Sequence, residues 1–163
     1  MMKLSAFALP LAMVLAGPAV AGVVKLPSNP PALILQGSRV SAGTETFFVS
    51  GQVPAPIDPK LKPADARSID DFGDTKTQTI SVLTKIKTIL ESQGYRMADV
   101  VKATVFVAAD PRTGKAEFAA MNEGFKMFFN SADNPTTTAR SAMQVAGLVS
   151  PHYLVEIEVI AAK

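Results

Sequence analysis

Beyond residue 30 the apolar positions of this chain fall into two rhythms. LILQGSRV and TETFFVS are short runs of β-favouring residues, predicting strands over 33–40 and 46–50 with a turn at Ser41-Ala42-Gly43. DTKTQTISVLTKIKTILESQG then changes to helical spacing. Ile80, Val82, Leu83, Ile86, Ile89 and Leu90 recur every three or four residues, with Lys76, Lys85 and Lys87 outward. Asp74 fits its N-cap and Gly94 its C-cap. ADVVKATVFVAA returns to β-branched residues and predicts a strand over 100–108. AEFAAMNEGFKMFFN predicts a second helix, with Phe118, Met121, Phe125 and the Phe128-Phe129 pair facing the core. Two last strands, over 138–145 and 153–161, flank GLVSP. The order β-β-α-β-α-β-β predicts an α+β fold, a mixed sheet covered on one face by two helices.

The uncovered face is the informative one. On the last strand Tyr153, Val155, Ile157, Val159 and Ala161 form an apolar side, and Leu154, Glu156, Glu158 and Ile160 the other. On the strand before it, alternation groups Thr138, Arg140, Ala142 and Gln144 against Ala139, Ser141, Met143 and Val145. A face combining Arg140, Glu156, Glu158 and aliphatic residues resembles neither a solvated surface nor a core. It predicts a subunit interface with a polar pocket. An unpaired buried charge costs several kcal/mol, so Arg140 needs an anion. That anion is either Glu156 or Glu158 across the strands, or the carboxylate of a ligand. The pattern alone leaves both open.

The chain has 163 residues, 48% of them hydrophobic, which suits one globular domain with a real core. It begins MMKLSAFALPLAMVLAGPAVAG: one Lys, an apolar run broken by Pro10 and Pro18, then Ala19-Val20-Ala21. This reads as a secretory signal peptide over 1–21 ahead of a single domain over 22–163, and predicts a periplasmic or secreted protein with no stable membrane association after cleavage. Cleavage would leave 15 Lys and Arg against 14 Asp and Glu. No basic run could follow a phosphate backbone, so no nucleic-acid partner is expected. There is no cysteine, which excludes thiol catalysis, Cys-ligated zinc and Fe–S clusters. The only histidine, His152, follows Pro151 at a turn and reads as a solvated loop residue, in no position to act as a base. No metal site is expected, since Asp70-Asp71 reads as loop surface. GVVKLPSNPP reads as an irregular lead-in. Residues 54–73, with four prolines, read as a long loop of functional or interface type. The Asp71-Phe72-Gly73 triplet inside it lacks the glycine-rich and catalytic loops of a kinase.

FFVSGQVP, ADVVKATVFV, FAAMNEGFKMFF, TARSAMQVAGL and VEIEVIAAK, in this order and spacing, resemble the RidA/YjgF family over residues 33–163. The resemblance implies a chorismate-mutase-like fold and a homotrimer with ligand pockets between neighbouring subunits. It implies hydrolytic deamination of 2-imino acids or their enamine tautomers to 2-keto acids and ammonia, with no metal or cofactor. Arg140 would grip the substrate carboxylate and Glu156 would orient the attacking water. Ser50, Gly51 and Asn122 match pocket-lining positions, and Ala142 stands where some members carry a pocket cysteine. Two departures mark a divergent member: Ile34 stands where many members have tyrosine, and the DPRTGK turn is longer than usual. Export favours an alternative, a non-catalytic trimeric module binding small carboxylates or proteins, because imino acids arise mainly inside the cell. Endoribonuclease activity, attributed to some relatives, fits poorly with the near-neutral charge.

Overall fold

The computed structural model describes residues 22–163, and the expected signal peptide over 1–21 lies outside them. Eight regular elements follow one another: β1 (Val23–Leu26), β2 (Gly37–Val40), β3 (Thr46–Gln52), α1 (Thr75–Ser92), β4 (Val100–Ala108), α2 (Phe118–Phe125), β5 (Ala139–Val145) and β6 (Val155–Ala162). The main sheet has the order β3-β6-β4-β5. β4 and β5 run parallel, and β6 is antiparallel to both β3 and β4. The fold is therefore α+β, with two helices on a mixed sheet. Among the described residues no helix is long and apolar enough to cross a membrane.

One strand left the main sheet. The strand expected over 33–40 contracts to Gly37–Val40 and pairs instead with β1, in a separate two-stranded ribbon where an irregular lead-in was expected. Its anchor is tertiary. The Lys25 ammonium donates to the carbonyls of Ala98 (2.8 Å) and Thr137 (2.9 Å). Burial pushes its pKa below the ordinary 10.5, against a smaller upward pull from the Asp99 carboxylate.

α1 starts where Asp74 accepts from the Thr77 amide at 2.8 Å, a bond that holds the Asp74 carboxyl below its ordinary value. The chain leaves the helix through Gln93 and Gly94, whose φ of +74° favours glycine. Its buried stripe is Thr75, Gln78, Thr79, Val82, Leu83, Ile86 and Leu90, so the first half of the core face is polar. Lys85 does not simply point outward. Its ammonium donates to the Val53 carbonyl at 2.7 Å, and burial lowers its pKa.

α2 is shorter than its pattern, ending at Phe125, while Phe129 still reaches the core and stacks on Phe125 with ring centroids 4.4 Å apart. Phe118 lies at the surface rather than inward. The helix sits close on α1 because residue 124 is glycine: a Cβ there would come within 2.8 Å of Thr79 Cβ and 3.0 Å of the Lys76 carbonyl.

The long 54–73 segment is an ordered strap with two short 3-10 turns, Pro63–Asp65 and Ile69–Asp71. Phe72 is buried at its end, edge-on to Tyr153 at 5.0 Å. The DPRTGK turn clips onto the strap. Arg112 binds Asp110 at 2.7 Å and Asp70 at 2.8 Å, while Asp71 accepts from the Arg67 and Ser68 amides.

Candidate active site

Strand register decides where the predicted site residues fall. Arg140 pairs with Ala103, which pairs with Val159 on its other side. Ala103 and Val159 are buried beneath the helices, so Arg140 belongs to the helix-covered face of the sheet. Met143 pairs with Phe106 and Phe106 with Glu156, while Ser141 pairs with Thr104 and Thr104 with Glu158. Both glutamates therefore stand on the open face. The expected single face holding Arg140, Glu156 and Glu158 does not exist within one chain. Nor does the ion pair it would have allowed: among the described residues none of these three has an ion-pair partner.

Arg140 instead reaches α2. Its Nη2 donates to Asn122 Oδ1 at 2.6 Å, and its Nη1 lies 3.6 Å from Met121 Sδ. The guanidinium carbon stands 4.3 Å from the centroid of the Phe125 ring. Burial pushes the guanidinium pKa below its ordinary value, yet an arginine keeps its charge at any physiological pH. The result is a half-buried, permanently positive fork whose described partners are a neutral amide, a thioether and a ring. Ala142 lies two residues further along the same strand face and is exposed.

The second group forms around a β-bulge. Val49 pairs with Val159 and Gln52 with Ile157, so three steps of β3 match two of β6, and the extra residue falls at Ser50-Gly51. Gly51 lies against Glu156, and a Cβ on it would run into the carboxylate. Ser50 lines a depression of about 260 Å³ on the open face with Phe48, Lys102, Thr104, Glu158 and Ile160. The structure thus places two groups of candidate residues, Arg140 with Asn122 and Glu156 with Gly51, on opposite faces of one sheet. Ile34 belongs to neither. It lines a separate cleft of about 320 Å³ with Lys25, Pro27, Pro31, Asn130 and Thr136.

His152 is half-buried rather than solvated, its ring stacked on Phe72 with centroids 6.4 Å apart. The sequence reading also missed Gln78, which is fully buried. Its amide donates to the carbonyls of Gly73 (3.1 Å) and His152 (3.0 Å) and accepts from the Leu154 amide (2.7 Å). Gln78 continues the spacing of Val82 and Leu83, and that periodicity was the available signal.

This architecture defines a class of small α+β proteins whose sheet carries helices on one face and presents a semi-polar second face. The family model described as endoribonuclease L-PSP matches residues 31–163. A RutC family protein of Pyrococcus horikoshii is 36% identical over 135 residues, covering 83% of this chain and 93% of that protein. The RutC family protein YoaB of Escherichia coli K12 is 36% identical over 90 residues, covering 55% of this chain and 71% of YoaB. Among solved structures, Escherichia coli TdcF with bound serine is 31% identical at a TM-score of 0.56, covering 85% of this chain and 93% of TdcF. The Rid protein YyfB of Yersinia pestis, at 23% identity and a TM-score of 0.65 over 86% of this chain and 98% of that one, shares the fold. The chain belongs to the RidA/YjgF family.

Proposed function

We propose that this protein is an exported, homotrimeric deaminase that hydrolyses 2-imino acids or enamines to 2-keto acids and ammonia. The observation that carries the reading is Arg140, a half-buried cation with no carboxylate partner among the described residues. A guanidinium can hold a substrate carboxylate through two parallel N–H bonds, which fixes orientation as well as position. Serine, named as bound in the structure of TdcF, carries such a group.

Glu156 is the acid–base residue of this reading. Water oxygen adds to the imine carbon as Glu156 accepts one of its protons, then returns that proton to the nitrogen. The carbon–nitrogen bond breaks and its electron pair leaves with ammonia. The remaining hydroxyl passes its proton through the Glu156 carboxylate to that ammonia, which departs as ammonium when the substrate entered as the protonated imine. A protonated imine is already electrophilic, so placement of the water is the main demand on the protein. Because Arg140 and Glu156 face opposite ways, each site takes its Arg140 from one protomer and its Glu156 from a neighbour. The open face suits such assembly: Phe48 is 71% exposed and Met143 41%, beside Glu156, Glu158 and Lys102. The near-neutral charge argues against RNA as the substrate.

The test is ammonia and keto-acid release from freshly generated 2-iminopropionate. Arg140→Ala lowers the rate on the order of 100-fold with the fold retained. A wild-type protein that binds pyruvate but releases no ammonia above buffer would instead be the carboxylate-binding module. N-terminal sequencing of the protein from its host tests export, with Gly22 as the expected first residue.

A further inference from the structure

The half-site around Arg140 has an internal construction that the fork alone does not explain. An arginine side chain has four rotatable bonds between its backbone and its charge, and it loses much freedom on fixing. Three residues of one helical turn meet it. Phe125 supplies a face, at 4.3 Å from the guanidinium carbon. Asn122 takes one Nη2 hydrogen at 2.6 Å, and Met121 sulfur lies beside Nη1. The ring beneath is itself immobile: Phe125 is fully buried and stacked on the fully buried Phe129 at an interplanar angle of 18°. Gly124 permits the close seat of α2 on α1 that sets the height of this shelf.

These contacts restrict different motions. A ring against one face sets the plane of the guanidinium, through attraction between the cation and the negative π face. A short bond to an amide oxygen sets its rotation within that plane. Neither contact supplies a negative charge, so the fork stays free to bind an anion. Nε has no hydrogen-bond partner among the described residues, leaving an N–H edge to be presented.

We propose that Phe125 and Asn122 are positioning residues, which act on the ligand through Arg140 by fixing the plane and rotation of its guanidinium. This rests on the reading of Arg140 as the carboxylate-binding group. It also moves Asn122 from a ligand contact to a holder of the fork.

The test is calorimetric titration of the full chain with pyruvate and with its uncharged analogue pyruvamide. Phe125→Leu keeps an apolar side chain but removes the ring, and Asn122→Ala removes the amide. Each weakens pyruvate binding by roughly tenfold and leaves the weak binding of pyruvamide unchanged. Asn122→Asp places a carboxylate against the fork and weakens pyruvate further than Asn122→Ala does. Equal losses for pyruvate and pyruvamide would mean a merely structural role and overturn the proposal. So would wild-type pyruvate affinity in both variants while Arg140→Ala loses it, an outcome that spares the reading of Arg140. Wild-type affinity in Arg140→Ala as well, or no pyruvate binding by the wild type, overturns both. Should Phe125→Leu fail to fold, Asn122→Ala decides by itself, since its side chain is only half-buried.

Discussion

Gln78 joins three parts of the chain that share no regular hydrogen-bonding pattern. Its side chain lies wholly inside, between the end of the 54–73 strap, the turn before β6 and the first residues of α1. All three of its bonds go to backbone groups, of which the Leu154 amide is buried and the Gly73 and His152 carbonyls partly so. Gln78→Leu keeps the volume but strands two carbonyls and one amide. The expected loss is about 2–4 kcal/mol of folding stability, measured by urea denaturation. The mixed polar and apolar stripe of α1 follows the same logic, as Thr79 bonds back to the Thr75 carbonyl at 2.7 Å instead of seeking a distant partner. Such residues look like surface in a hydropathy pattern. Only their spacing, three and four residues ahead of Val82, betrays the buried position.

At the scale of elements, the clip between the DPRTGK turn and the strap ties stability to pH. The hydrogen bonds of Arg112 hold the Asp110 carboxyl below its ordinary 3.8, and they outweigh the opposing effect of burial. A depressed folded-state pKa means that this contribution is complete above about pH 4 and is lost as pH falls through the folded value. Asp110→Asn should therefore lower Tm at pH 7 and flatten the acid decline of Tm below pH 4; an unchanged acid limb would remove the clip from the stability account. Elements were legible where their signal was local. β4 matched its pattern over 100–108 because its β-branched run is continuous, and α1 matched because it carries both its stripe and its cap. β1 was not legible, because what holds VVKL is a lysine reaching the Ala98 and Thr137 carbonyls across the fold. The order of faces was not legible either. Alternation grouped Arg140 with Ala142 and Glu156 with Glu158 correctly, but their relation runs through β4. A shift of one residue in that pairing exchanges the two faces.

At the scale of the whole molecule, that exchange of faces becomes a statement about assembly. A site needing Arg140 and Glu156 together cannot close inside one chain whose sheet separates them, whereas a ring of copies can bring one protomer's open face to another's helix-side edge. Each site in a closed trimer then draws Arg140 from one protomer and Glu156 from the next. On the proposed reading, Arg140→Ala and Glu156→Gln should each lose activity on the order of 100-fold alone, because every site in either homotrimer would lack one group. Co-expressed in equal amounts with different tags, and purified through both, they behave differently. A site is intact whenever its arginine comes from a Glu156→Gln protomer and its glutamate from an Arg140→Ala protomer. Random assembly makes that true for about a quarter of all sites before tag selection, and about a third in the mixed trimers that selection retains. Imine hydrolysis should return to about that fraction of the wild-type rate per protomer, with a solution mass of three chains. A site contained within one chain would recover nothing under the same mixing, so the recovered fraction itself reads out whether the two half-sites meet across a protomer boundary.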